Sequence, residues 1–237
     1  MIKAISLDFD WTLAEMRPQT YEIYHEVLHQ FGYTFDLETI KQKFADTIDG
    51  LSDTFQEKVL EYARLSPEEQ WNLLRAFNRL RLKRIGVNAE QNLETCLEAI
   101  EKHIQLQQRR VLYEDVQETL ERLSARNIEL FIISGNTSSR IEATLRQNKV
   151  LDFFEEILTP DKCDMLKSDI YQLLLEKTGF SPESILHCGD HEQDDVAAAD
   201  AHGLKAVLIR RPSHYYQKIL NDSFPVVQSL DELFKFL

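Results

Sequence analysis

Two aspartates near the start of the chain have the residue type and spacing needed for covalent chemistry. Asp8 directly follows residues 2–7, an apolar run typical of a strand, and Asp10 comes two positions later. Side chains two positions apart in an extended segment point to the same side, so both carboxylates can address one phosphate and one metal. The pair therefore suggests an aspartyl nucleophile beside a general acid/base. An Asx-type turn that simply closes the strand is the structural alternative.

A second acidic group follows a later strand-like run. Residues 184–188 lead into Gly189 and a loop that carries the carboxylates of Asp190, Glu192, Asp194 and Asp195. These acidic residues could merely favour the N-terminus of the next helix. If they gather near Asp8 and Asp10, however, their repulsion costs stability unless a cation is bound. Mg²⁺, which prefers oxygen ligands, is the expected cation.

A polar segment follows residues 128–133, another apolar run. It consists of Ser134, Gly135 and Asn136. A hydroxyl and backbone N–H groups at a junction between a loop and a helix could hold phosphate oxygens. A serine in this position is also commonly just the N-cap of the following helix.

These polar segments are separated by elements that predict the architecture. Strand-like residues 2–7, 128–133, 184–188 and 205–209 alternate with helical patterns after residue 115, which indicates a parallel, doubly wound (Rossmann-like) α/β sheet. Residues from about 18 to 110 have helical periodicity. We therefore predict an α/β core domain of residues 1–15 and 112–237, interrupted by an all-helical cap domain of residues 16–111.

Composition restricts the classes of function. The formal net charge of −13 argues against nucleic-acid binding, which depends on clustered cations. No apolar run is long enough for a membrane helix, and the three cysteines are isolated, so we expect a cytoplasmic protein with reduced thiols and no membrane partner. An acidic enzyme that acts on a phosphate ester needs a metal and a positioned lysine to offset repulsion.

The chain resembles the haloacid dehalogenase (HAD) superfamily, in the branch with a helical cap inserted after the first strand. Residues Asp8 to Thr12 resemble its D-x-D-x-T signature, Ser134 its strand-end Ser/Thr, and Gly189 to Asp195 its G-D-x-x-x-x-D signature. The match covers essentially the whole chain, and the signatures occur in order. The resemblance implies a HAD-like α/β core with a cap.

The resemblance also implies roles for these residues. Asp8 would be the nucleophile and Asp10 the general acid/base. Mg²⁺ would be held by Asp8, the main-chain carbonyl of Asp10, and Asp190. Asp195 fits the last acidic position, where it would orient metal-bound water or the lysine, and its neighbour Asp194 is the weaker candidate.

The expected lysine is one of two departures from the family pattern. Members usually have Lys-Pro shortly before a helix, whereas here Lys167 is followed by Ser168. We choose Lys167 as the catalytic cation and keep Lys162 in reserve; either could instead be an exposed, solvated lysine. The second departure is Trp11, where many relatives have glycine. It could pack under the cap or belong to the core.

Several other residues are weaker candidates for substrate contacts. Arg17 and a basic run in the cap could contact an anionic substrate, although charge runs usually form a salt-bridged helix face. The run consists of Arg75, Arg79, Arg81, Lys83 and Arg84. His191, which adjoins Asp190, could reach the substrate or a hinge contact.

The reaction we expect is Mg²⁺-dependent hydrolysis of a small phosphorylated metabolite through a phospho-aspartate, by a monomer or homodimer. Asp10 favours phosphoryl transfer, because the resemblance implies that dehalogenases proper lack a carboxylate there. A sugar-phosphate mutase is one alternative. A non-catalytic binding or regulatory protein on the same scaffold is another.

Overall fold

We describe the fold from a computed structural model that covers residues 1–88, 90–215 and 223–237. Within these residues the strands are β1 (Ala4–Leu7), β2 (Ala14–Arg17), β3 (Arg109–Leu112), β4 (Glu129–Ile133), β5 (Glu156–Leu158), β6 (Ile185–Gly189), β7 (Lys205–Ile209) and β8 (Val226–Val227). The α-helices are α1 (Thr20–Gln30), α2 (Leu37–Asp49), α3 (Asp53–Leu60), α4 (Pro67–Ile85), α5 (Glu90–Gln107), α6 (Val116–Ser124), α7 (Ser138–Gln147), α8 (Pro160–Cys163), α9 (Lys167–Thr178) and α10 (Ala198–Ala201).

Six strands form one sheet, in the order β5-β4-β1-β6-β7-β8, and the neighbouring strands are parallel. This confirms the predicted doubly wound α/β class. The central strand β1 lies between β4 and β6, so the carboxyl ends of these three strands are adjacent. In sheets of this kind the crevice beside the strand that separates the two halves is where ligands bind.

Helices cover both faces of this sheet, which explains why the central strands β1 and β6 are buried along their whole length. Ile5 and Leu7 pack with residues of α6 and α7 on one face, whereas Ala4 packs with residues of α9 on the other. Because side chains alternate along a strand, Ser6 of β1 and His187 of β6 point to the α9 face. These two polar side chains are fully buried.

The chain divides into two compact units. The first contains Met1–Glu15, Leu60–Arg64 and Leu112–Leu237, and the second contains Met16–Val59 and Leu65–Val111. The observed division differs from the predicted one at Leu60–Arg64, which includes a 3₁₀ turn and belongs to the first unit. The chain passes from one unit to the other at both ends of Leu60–Arg64 and also within β2 and β3, which form a separate two-stranded sheet.

The second unit is built from helices whose ends follow the signals in the sequence. Ser66 caps α4 and forms a capping box with Glu69, and Pro67 occupies its first turn. The helix ends at Gly86, whose φ of 115° lies in the left-handed region that glycine adopts without steric cost. No helix among the described residues is long and apolar enough to cross a membrane.

Candidate active site

Asp8 is the first residue after β1 and is held by the sheet itself. Its backbone N–H donates to the carbonyl of Cys188 in β6 across 2.9 Å. Its side chain is only 7% exposed, and Oδ1 lies 2.7 Å from Nζ of Lys167. The carboxylate is therefore fixed at the end of the central strand, opposite a cation.

A tight turn follows Asp8 and presents Asp10. The backbone N–H groups of Leu13 and Ala14 both donate to the carbonyl of Phe9. Within this turn Trp11 has a φ of 61°, in the left-handed region that glycine favours. The departure at Trp11 thus falls where the backbone demands an unusual conformation.

The indole of Trp11 belongs to an aromatic cluster in the first unit. Its ring centroid lies 4.3 Å from that of His214 and 5.8 Å from that of Tyr215. The imidazole of His214 also lies 3.8 Å from Oδ2 of Asp190. These contacts stabilise a turn that would otherwise favour glycine, and they place an aromatic wall beside the acidic residues.

The polar segment after β4 approaches the same turn. Asn136 donates from Nδ2 to Oδ2 of Asp10 across 2.6 Å, and its own Oδ1 accepts from the N–H of Thr137. The N-cap of α7 is Thr137, so Ser134 does not have the helix-capping role that was the alternative. Ser134 is buried, and its hydroxyl accepts from the N–H of Asn136 at 3.4 Å.

Lys167 is the first residue of α9 and reaches into the site. Its side chain is 12% exposed, and Nζ contacts carboxylates of both Asp8 and Asp195. Gly135 lies beside it, because a Cβ at that position would be 4.0 Å from Cδ of Lys167. The reserve candidate Lys162 is exposed in α8.

The acidic loop after β6 contributes Asp195 rather than Asp194. A π-helical turn, Glu192–Ala197, brings the Asp195 carboxylate back over Gly189, where any Cβ would overlap it. The Oδ2 atom of Asp195 accepts from the backbone N–H of His191 across 2.8 Å. The carboxylate of Asp194 instead lies 3.3 Å from Nδ1 of His191.

Three carboxylates of the site fit a divalent cation. Oxygen atoms of Asp8, Asp190 and Asp195 all lie within 4.8 Å of one another. Burial and nearby carboxylates raise the pKa of Asp8 to about 7, despite the opposing effect of Lys167. Burial, Asp8 and Asp195 likewise raise the pKa of Asp190 well above its ordinary value. Such hard oxygen ligands, with more negative charge than one lysine offsets, suit Mg²⁺. Asp10 was expected to contribute its main-chain carbonyl, which lies outside this side-chain set.

In contrast to Asp8 and Asp190, Asp195 forms a fully charged ion pair with Lys167. Burial by itself favours the neutral form of Asp195, but the Lys167 ammonium and His187 bring the pKa of Asp195 below its ordinary value. Burial also opposes the charge on Lys167, yet Asp195 and Asp8 raise the pKa of Lys167 well above its usual range. Lys167 is therefore a permanent cation beside Asp8.

The other residues of the signatures and the weaker candidates have structural contacts. The carbonyl of Thr12, which is buried, accepts from Arg211 across 2.7 Å. Arg17 is exposed. Within the second unit, Arg75 and Arg79 pair with glutamates of α5, Arg81 packs against the rings of Phe44 and Phe77, and Arg84 donates to backbone carbonyls. These contacts fit the salt-bridged helix face that was the alternative for the basic run.

Sequence reasoning missed the buried polar layer behind the carboxylates. His187, Tyr171 and Ser6 connect there to Asp195. The available signal was a histidine inside an otherwise apolar strand, with a serine at a corresponding position of β1.

Comparisons with known proteins agree on one family. A sequence model described as haloacid dehalogenase-like hydrolase matches residues 5–209. Phosphoglycolate phosphatase from Synechococcus elongatus is 27% identical over 209 residues, which cover 88% of this chain and 84% of that enzyme. (S)-2-haloacid dehalogenase from Pseudomonas fluorescens is 22% identical over 222 residues, which cover 89% of this chain and 95% of that enzyme. The crystal structure of a HAD phosphatase from Thermococcus onnurineus aligns with a TM-score of 0.56 at 20% identity, over 99% and 97% of the two chains.

Proposed function

The chain belongs to the haloacid dehalogenase-like hydrolases, and on that basis we propose that it is a Mg²⁺-dependent phosphatase that hydrolyses a small phosphomonoester through a phospho-aspartate. The family contains both phosphatases and dehalogenases, so membership alone leaves the reaction open. The choice depends on the side chains of the site.

The observation that carries the proposal is the held carboxylate of Asp10 two residues after Asp8. Asp8 faces Lys167 at 2.7 Å, and Asp10 accepts a 2.6 Å hydrogen bond from Asn136. A halide leaves without a proton, but an alkoxide needs an acid. A second carboxylate positioned by its own donor therefore favours phosphate-ester cleavage over dehalogenation.

In the first half-reaction the Asp8 carboxylate attacks phosphorus. A bond forms between a carboxylate oxygen and phosphorus, and the bond from phosphorus to the ester oxygen breaks. Asp10, as the carboxylic acid, gives its proton to the departing alkoxide. The Lys167 ammonium and the Ser134 hydroxyl, with nearby backbone N–H groups, hold the phosphoryl oxygens as negative charge builds on them.

In the second half-reaction Asp10 acts as a base. Its carboxylate takes a proton from water, the water oxygen attacks phosphorus, and the bond to Asp8 breaks to release inorganic phosphate. Asp8 and Asp10 then have their starting protonation states. Asn136 keeps the Asp10 side chain in one orientation through both half-reactions. In another rotamer, Asp10 would lie too far from the ester oxygen that leaves in the first and from the water oxygen that attacks in the second.

Asp8 and Asp190 would hold the Mg²⁺ ion, with the main-chain carbonyl of Asp10 as a third ligand. When bound, the ion supplies positive charge that offsets the repulsion between the carboxylates and the phosphate. We propose that Asp195 orients Lys167, because its carboxylate already contacts that lysine.

The substrate we propose is a small phosphorylated metabolite, as for the phosphoglycolate phosphatase to which 88% of the chain aligns. The oligomeric state, monomer or homodimer, remains a prediction from the sequence. The cytoplasmic location does as well.

The test is release of inorganic phosphate from sugar phosphates, nucleotides, phosphoglycolate, pyrophosphate and an aryl phosphate, with Mg²⁺ or with chelator. We expect Mg²⁺-dependent release by the wild type and none by Asp8→Asn. A parallel assay of chloride release from a 2-haloacid addresses the dehalogenase reaction.

Two results would contradict the proposal. Equal activity in Asp8→Asn would exclude the covalent mechanism. Absence of release from every compound, in protein shown to bind Mg²⁺, would favour a mutase or a binding role, and conversion between sugar-phosphate isomers would identify the mutase.

A further inference from the structure

His187 is a fully buried histidine whose two ring nitrogens both face polar partners. Nδ1 lies 2.9 Å from Oγ of Ser6. Nε2 lies 3.1 Å from the hydroxyl oxygen of Tyr171 and 3.4 Å from Oδ1 of Asp195. A buried imidazole lowers the stability of the fold unless each ring nitrogen has a hydrogen-bond partner. Both nitrogens of His187 have such partners.

The fold places these partners together through two regular relationships. Ser6 and His187 are register neighbours in the parallel pair of β1 and β6. Lys167 and Tyr171 are four residues apart on α9 and therefore lie on the same face of that helix. One helix thus delivers the Lys167 ammonium to Asp8 and Asp195, and one turn later delivers the Tyr171 hydroxyl to His187.

The chemistry of the partners fixes the direction of each hydrogen bond. The Asp195 carboxylate only accepts, so the ring hydrogen must lie on Nε2, which faces it. With that hydrogen on Nε2, Nδ1 has a lone pair that can accept from the Ser6 hydroxyl, which lies 2.9 Å away. The Tyr171 hydroxyl donates to the carbonyl of Asp194 across 3.2 Å, so its oxygen is a second acceptor that shares the Nε2–H hydrogen with Asp195.

We propose that His187 is a positioning residue which, held by Ser6 and Tyr171, fixes the Asp195 carboxylate and through it the Lys167 ammonium beside Asp8. The inference rests on the proposed function, because it assigns His187 to the same reaction. Asp195 receives three donors from different elements: His187 of β6, Lys167 of α9 and the backbone N–H of His191. His187 and Lys167 both contact Oδ1, so loss of the His187 donor removes one of the two side-chain contacts that fix this oxygen.

The kinetic test compares His187→Leu, which removes the donor, with His187→Gln, whose side-chain amide restores an N–H donor. We expect kcat to fall about 10- to 100-fold in His187→Leu and to recover substantially in His187→Gln. Leu186→Val is the matched control, because it alters an adjacent buried side chain, which packs on the opposite face of the sheet. It should lower the unfolding temperature while leaving kcat unchanged.

A spectroscopic test is independent of turnover. In ¹⁵N-labelled protein, long-range ¹H–¹⁵N correlations distinguish the two neutral tautomers, and the His187 signals are assigned by their loss in His187→Gln. We expect the Nε2–H tautomer in the wild type. Ser6→Ala removes only one hydroxyl, so it serves if His187→Leu fails to fold. It should shift the Nδ1 resonance and lower kcat several-fold.

Four results would overturn the assignment: wild-type kcat in folded His187→Leu, equal losses in the Leu and Gln variants, the Nδ1–H tautomer, or Ser6→Ala with unchanged resonance and rate. Failure of the proposed function looks different, because the wild type itself would then release no phosphate. A Mg²⁺-dependent wild-type rate that is lost in Asp8→Asn, together with any of these four results, would contradict the role of His187 alone.

Discussion

The side-chain amide of Asn136 donates a hydrogen bond from Nδ2 to Oδ2 of Asp10 across 2.6 Å. The Oδ1 atom of the same amide accepts from the backbone N–H of Thr137, the N-cap of α7. Asn136 is thus held at one end by the backbone and at the other end holds the proposed acid/base. Asn136, which we expected to contact substrate, thus has a second proposed role, because its side chain holds the carboxylate of the proposed acid/base.

Asn136→Ala should therefore slow the hydrolysis of a substrate more, the more its leaving group needs to be protonated by an acid. We expect kcat to fall about 10- to 100-fold for an alkyl phosphate such as phosphoglycolate, and much less for an aryl phosphate, whose leaving group needs little protonation. Asp10→Asn should show the same selectivity with a loss of about 10²- to 10⁴-fold. Asn148→Ala, at the other end of α7, is the control. Equal losses for both substrates would contradict the positioning of Asp10.

Lys167 and Lys162 can be separated by matched substitutions. Lys167→Met removes the cation that contacts Asp8 and Asp195, and we expect kcat to fall about 10²- to 10³-fold or more. Lys162→Met changes an exposed side chain and should leave the rate within about twofold. Steady-state kinetics on the two variants, with circular dichroism to verify folding, provides the comparison. The reverse pattern would exclude Lys167.

The stability of the metal-free protein should depend on the protonation of Asp8. Its pKa is about 7 in the folded state against 3.8 for an unperturbed aspartate, so the folded state retains the proton longer. The associated stability is fully present below about pH 4 and is lost as the pH rises through 7. Asp8→Asn imitates the protonated form and should have the higher unfolding temperature at pH 8 in chelator, by a few degrees.

The difference between the two proteins isolates Asp8, because His187 and the other titrating groups are common to both. It should become smaller as the pH falls to 5 and approach zero below about pH 4. A constant difference across that range would show that Asp8 does not titrate there.

Mg²⁺ binding should strengthen with pH for the same reason. A proton on Asp8 competes with the metal, so the apparent Kd should rise by up to about tenfold for each pH unit below 7. Titration calorimetry at pH 6 and pH 8 measures this directly. Asp190, whose pKa is also raised, adds to the effect. An affinity independent of pH would argue against these carboxylates as ligands.

Gly189 should be intolerant of any side chain. A Cβ there would overlap the carboxylate of Asp195, which is held on both oxygens. We expect Gly189→Ala to lower both the unfolding temperature and kcat. Gly179→Ala is the control, since its φ of 63° is strained for alanine but the space around it is open. It should cost about 1 kcal/mol of stability without loss of activity.

The sequence by itself determined the class of the fold and the identity of most candidate side chains. Short apolar runs that end in Asp8, Ser134 and Gly189 predict parallel strands, and parallel strands bring their carboxyl ends to one edge. Strand β5, Glu156–Leu158, was not predicted, because three residues are too few to show a periodic pattern.

Only the tertiary structure decided which of several similar residues enter the site. The π-helical turn directs Asp195 inward and Asp194 toward His191, although the two are neighbours in the chain. The start of α9 brings Lys167 to Asp8, whereas Lys162 lies exposed on a separate short helix. The role proposed for His187 depends on the register of β1 with β6 and on the packing of α9 against them. The physical reason is that residue type and spacing fix which chemistry is available, whereas helix phase and strand register, which depend on distant packing, fix which atoms meet.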